Sequence, residues 1–137
     1  MLPLCTVFIE LARLIDRRIQ DKVASHGLSS TQAMAMLRIA CRPRLSRADL
    51  ARGLQVSPQA AGQLVTQLVD KGLACRTESG PGMAIELCLT PEGHRLVALF
   101  RPTVESVSAE ILRFFRPNLG SAINGAIRHI RLNLAEE

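Results

Sequence analysis

The chain has 137 residues, 47% of them hydrophobic and 21% charged, which fits one compact domain with its own core and excludes a two-domain enzyme. Aromatic residues make up only 3%, with neither Trp nor Tyr, so the core is expected to consist of Leu, Ile, Val, Ala and Met, the stock of packed helices, without stacking platforms for single-stranded nucleic acid. The net charge of +5 favours a polyanionic partner, and residues 38–55 concentrate it, with Arg38, Arg42, Arg44, Arg47 and Arg52 against Asp49 for a local charge of +4.

From Pro3 to about Ser25 the apolar residues Leu4, Phe8, Leu11, Ile15, Ile19 and Val23 recur at steps of three and four, the signature of a long amphipathic helix, ended by His26-Gly27. Ser29 or Ser30 can cap a second helix reaching about Ala40, with Met34, Met36, Leu37 and Ile39 as apolar surface and Arg42-Pro43 as its stop. Ser46, three residues before Asp49, caps a short helix containing Leu50 and Ala51 and closed by Gly53. Ser57-Pro58 opens the next helix, in which Ala61, Leu64, Val65, Leu68 and Val69 form an i, i+3, i+4, i+7, i+8 stripe and Gln59, Gln63, Thr66, Gln67 and Asp70 take the other face, up to Gly72.

Residues 73–78 and 84–89, LACRTE and AIELCL, read as two short strands joined through Gly80-Pro81-Gly82. Thr90-Pro91 starts a long helix expected to run to Phe115 with a bend at Pro102. After Pro117 a last helix carries an apolar seam of Leu119, Ile123, Ala126, Ile127, Ile130 and Leu134. On this reading the glycines mark helix ends and the hairpin tip.

No run of about 18 apolar residues is present to span a bilayer, and the opening MLPLCTVFIE has no basic leader and is interrupted by Glu10, so a soluble, cytoplasmic protein without a membrane partner is expected. Cys5, Cys41, Cys75 and Cys88 contain no CxxC pair, and His26, His94 and His129 stand at no ligand spacing to them. No metal or cofactor is therefore expected, and the cysteines read as reduced thiols rather than a disulfide framework. No Gly-x-Ser-x-Gly, phosphate-cradling glycine loop or paired carboxylates point to catalysis.

A short helix, a turn and a second helix with a polar outer face make a helix-turn-helix, and the hairpin after it makes a wing. The segment LSRADLARGLQVSPQAAGQLVTQLVDKGLACR, followed by IELCLTPEGHRLV with its strand-to-helix LTPEG at 89–93, resembles the multiple antibiotic resistance regulator (MarR) family of bacterial transcription factors. The resemblance covers about residues 28–100. It implies a mainly helical fold with a small two- or three-stranded wing, in a single domain comprising a winged helix over 28–90 and dimerisation helices over 1–27 and 91–137. It also implies a homodimer on double-stranded DNA, most commonly a repressor, often with a crevice for a small-molecule effector.

Within that frame the helix over 57–71 reads DNA. Gln59, Gln63, Thr66 and Gln67 are the candidate base readers, since a glutamine amide can pair with adenine N6 and N7, and Ser57, Pro58 and Gly62 complete its surface. Arg42, Arg44, Arg47 and Arg52 are placed to meet phosphates, and Arg76 stands at the base of the wing. The chain departs from the family in two ways. The reading helix carries only Asp70 and Lys71 as charges, and the wing RTESGPGMAIEL lacks an Asp-x-Arg tip. Those departures motivate an alternative, a winged-helix interaction module that does not bind DNA. A third reading is a thiol switch, through Cys5 near a helix N-terminus or through Cys75 and Cys88, opposite or diagonal on the two wing strands. Cys5 can equally be a small apolar residue on the buried stripe of its helix.

Overall fold

The computed structural model describes residues 1–78, 80–82, 84–114 and 120–135. The chain clusters into two compact units, Met1–Val104 and Glu105–Glu137.

The first unit opens with α1, Leu4–Val23, continued by one 3-10 turn, Ala24–His26, and released at Gly27, whose φ of 71° is left-handed. The periodicity located this helix correctly, yet only Val23 of the predicted stripe is buried; Ile15 and Ile19 are half-buried, and Leu4, Phe8 and Leu11 are exposed. Helix α2, Ser30–Cys41, is held by a capping box in which the Ser29 hydroxyl accepts from the Gln32 N–H while the Gln32 side chain accepts from the Ser29 N–H. It ends where Pro43 disfavours helical geometry at Arg42.

Strand β1 is the two residues Leu45–Ser46, and Ser46 then caps α3, Arg47–Leu54, by accepting from the Asp49 N–H at 3.0 Å. The helix does not close at Gly53 as its sequence suggested. Gln55 makes the left-handed exit at φ 56°, and Gly53 lies inside the helix, where an added Cβ would sit 2.7 Å from Nη1 of Arg38 on α2. Helix α4, Pro58–Asp70, begins as expected, with Ser57 accepting from the Ala60 N–H and Pro58 in the first turn. Its stripe faces inward, with Ala61, Leu64, Val65 and Leu68 buried and Val69 packed beside them.

Strands β2, Ala74–Glu78, and β3, Ile85–Leu89, pair antiparallel, and β1 joins on the far side of β3, giving the order β1-β3-β2. The wing is therefore three-stranded. Its tip passes through Gly80 and Gly82, both at positive φ; Ser79 and Met83 lie outside the described residues.

Helix α5, Pro91–Leu112, contains Pro102 and runs from the first unit into the second. Thr90 caps it, accepting from the Gly93 N–H at 3.0 Å and donating to the Gly72 carbonyl at 2.6 Å. Gly93 explains the LTPEG motif. A Cβ there would stand 2.0 Å from the Leu73 carbonyl oxygen, so only glycine lets the start of α5 lie against the turn after α4. Gly53 thus sits inside its helix rather than closing it, whereas Gly62 and Gly93 lie within the helices in which the sequence placed them.

The core joins every element of this unit. Phe100, Met36, Leu50, Leu68, Val23 and Val65 are its largest fully buried side chains, each stabilising the fold by roughly 1.5–3 kcal/mol through removal of apolar surface from water. In the second unit, α6 spans Gly120–Ala135. Of the seam read from the sequence, Ile123 is half-buried, while Ile127, Ile130 and Leu134 are exposed; Phe115, Pro117 and Leu119 lie outside the described residues. Among the described residues no helix is long and apolar enough to cross a membrane.

Candidate nucleic-acid interface

Because the stripe of α4 is committed to the core, its opposite face is bare. Gln59 and Gln63 are exposed, and no hydrogen bond within the described protein engages their amides, so both keep a donor and an acceptor for a base edge. Thr66 and Gln67, read from the sequence as equivalent to them, are not. The Thr66 hydroxyl donates to the Gly62 carbonyl and accepts from Nη2 of Arg76, both at 3.0 Å. Gln67 accepts at Oε1 from Nε2 of Gln32 at 3.0 Å. Gly62 lies close beneath Arg47, whose Nη1 is 3.7 Å from where a Cβ would be.

Between α4, the start of α3 and the wing runs an open groove of about 810 Å³, walled by Arg47, Gln63, Thr66, Arg76 and Ile85 among others. Its rim is cationic on both sides and its floor is partly apolar, through Pro58, Val65 and Leu87. Arg42 and Arg44 stand exposed in the turn before β1, Arg44 at a left-handed φ of 62°. Arg52 is different, since its guanidinium pairs with Asp49 one turn back on α3. The Ser46 hydroxyl and then Arg52 hold the Asp49 carboxyl below the usual range. Of the four arginines expected to meet phosphates, Arg42, Arg44 and Arg47 are exposed and Arg52 is paired within its own helix.

The register places Cys75 directly opposite Cys88, with Cα atoms 5.1 Å apart, and the two are disulfide-bonded. The expectation of four reduced thiols fails for this pair, because directly paired cysteines on neighbouring strands fall within the span of a disulfide. Cys5 and Cys41 are free and exposed, so Cys5 does not occupy a buried stripe. Among the described residues no group of three His, Cys, Asp or Glu side chains stands together to hold a metal.

Sequence reasoning missed Gln32 and the contacts of Lys71. Gln32 is almost wholly buried, and Lys71 Nζ donates to its Oε1 at 3.1 Å and to the Gly27 carbonyl at 2.6 Å. The signal was present: Ser29-x-x-Gln32 is the capping-box spacing.

The MarR family model matches residues 26–82. The repressor Rv2887 of Mycobacterium tuberculosis, described as an HTH-type transcriptional repressor, is 25% identical over 111 residues, 80% of each chain. Two solved structures share the fold. The MepR–DNA complex of S. aureus superposes with a TM-score of 0.84 at 14% identity, covering 95% of this chain and 97% of that one. CouR from Rhodococcus jostii RHA1, bound to p-coumaroyl-CoA, gives 0.83 at 14%, covering 94% and 91%. The capped helix pair, the helix α4 with its bare glutamine face and the three-stranded wing agree with these matches: residues 26–82 are similar to the MarR family, and the chain has the winged helix-turn-helix fold of these structures.

Proposed function

We propose that this chain is a sequence-specific DNA-binding transcriptional repressor that works as a homodimer and responds to a small-molecule effector. The observation that carries the reading is the outward face of α4, where the unengaged amide of Gln63 shares one groove with Arg47 and Arg76, and Gln59 stands exposed on the same helix. Major-groove edges and phosphates are what such a face complements. The relative's description as a repressor, the fold shared with a DNA-bound protein and the ligand held by CouR support the remaining parts.

Dimerisation is supported by apolar side chains that each unit leaves exposed: Leu4, Val7, Phe8, Leu11 and Leu14 on α1, and Ile127, Ile130 and Leu134 on α6. In this reading 1–27 and 91–137 supply the dimer contacts, and 28–90 supply the DNA-binding winged helix. Titration of a fluorescent duplex from the chain's own upstream region, at two salt concentrations and against a scrambled competitor, tests it. Specific retention supports the regulator. Absence of binding at low salt supports the interaction module instead.

A thiol-sensitive wing is a second reading, favoured by the bonded Cys75 and Cys88. Oxidation by hydrogen peroxide would take one hydrogen from each thiol, form the S–S bond and release two waters, and a dithiol reductant would reverse it. A change in duplex affinity between the two states that Cys88→Ser abolishes supports a switch; equal affinities leave the bond structural. Cys5 is a free, exposed thiol outside the wing, and Cys5→Ser in the same assay tests its part.

A further inference from the structure

Gln32 stands between the first turn of α2 and the end of α4 with each of its amide atoms engaged. Its Oε1 receives the Ser29 backbone N–H at 3.1 Å and Lys71 Nζ at 3.1 Å. A backbone N–H and an ammonium can only donate, so the chemistry of these two partners fixes which end of the Gln32 amide is oxygen. The other end must be Nε2, a donor, and it points to Gln67 at 3.0 Å. The atom of Gln67 that meets it must then be an acceptor. A chain of obligatory polarity therefore runs from Ser29 and Lys71 through buried Gln32 to Gln67, which is itself exposed and lines the groove beside α4.

With Oε1 of Gln67 turned toward Gln32, its Nε2 with two N–H groups is the free end. An unconstrained glutamine offers a donor and an acceptor together and suits adenine N6 and N7, whereas paired donors suit an edge bearing only acceptors, which in the major groove is guanine N7 and O6. We propose that Gln32 is a positioning residue that sets the amide polarity of Gln67, so that Gln67 selects guanine over adenine at one position of the target duplex. The inference rests on the DNA-binding reading above. It assigns a specificity role to a residue that touches no base and corrects the adenine preference expected for Gln67 from sequence.

The test is a binding selection from a randomised duplex library with the full chain and the variants Gln67→Ala, Gln32→Glu and Gln32→Met, with thermal melts to establish that each is folded. Gln67→Ala should flatten one position at which the unaltered chain prefers guanine about tenfold. In Gln32→Glu both carboxylate oxygens accept, one from Lys71 and the other from Gln67, so Gln67 turns its Oε1 outward. The same position should swing to a base with an exposed amino group, cytosine or adenine, while positions dependent on Gln63 stay unchanged. Gln32→Met removes the constraint and should bring guanine and adenine to near equality there; it carries the test alone should the glutamate variant fail to fold. Retention of the guanine preference in the folded Gln32 variants, or no position responding to Gln67→Ala, overturns the inference while leaving the DNA-binding reading intact. No duplex binding by the unaltered chain overturns that reading, and this inference with it.

Discussion

The Thr66 hydroxyl on α4 and the Arg76 guanidinium on β2 are hydrogen-bonded at 3.0 Å, tying the wing to the reading helix at its base. The pair is exposed, so its effect on folding is small, about 1 kcal/mol or less. Its effect is on where the wing stands. Arg76→Ala is expected to weaken duplex binding about tenfold by fluorescence anisotropy, combining a lost cation with a loosened wing, while the melting temperature falls by only a few degrees. Thr66→Val keeps the cation and should fall between the two.

Gly93→Ala should be among the most damaging single substitutions. The new methyl would lie 2.0 Å from the Leu73 carbonyl oxygen, and that atom is backbone, so α5 must shift away from the turn after α4. A loss of about 3 kcal/mol or more is expected, read by urea unfolding. Gly53→Ala is the contrast, because there the obstacle is the far end of the Arg38 side chain, which can swing aside, and the loss should be smaller.

Salt dependence counts the phosphate contacts. With Arg52 paired to Asp49, Arg42, Arg44, Arg47 and Arg76 remain, eight side chains in a dimer, and the log–log slope of affinity against salt should be about −7. Arg42→Ala and Arg44→Ala together should bring it to about −4. A slope that ignores both substitutions would remove the cluster from the interface.

Among the described residues two carboxylates are held below their ordinary range: Asp49, through the Ser46 hydroxyl and Arg52, and Glu92, through Arg95. A lowered value in the folded chain means that the unfolded chain takes up protons first as pH falls. The contribution of both groups is complete above the unfolded carboxylate range, about pH 4, and is lost as pH drops through the folded values. Asp49→Asn should flatten the acid limb of a melting-temperature profile below about pH 4 and leave the profile near pH 7 parallel to that of the unaltered chain.

The elements were legible in the sequence wherever one signal dominated. Ser57-Pro58 and the stripe from Ala61 to Val69 placed α4, and the runs ending at Glu78 and beginning near Ile85 placed the hairpin. Local signals said nothing about who approaches whom. Gly53 looked like a stop because glycine commonly ends helices, but its place is set by Arg38 on another helix. Strand β1 is two residues long, too short for any alternation to show. At the candidate interface the spacing correctly put Gln59, Gln63, Thr66 and Gln67 on the outward side. It could not show that Thr66 and Gln67 are already engaged, because their partners lie 10 and 35 residues away.

Ser46 belongs to two structures at once: its backbone pairs with Glu86 in the wing sheet, and its hydroxyl caps α3. A tilt of the hairpin therefore cannot be absorbed by slack in a linker, for none separates β1 from α3. The same serine couples the first turn of the supporting helix to the hairpin, so the placement of the wing and that of α3 are set together.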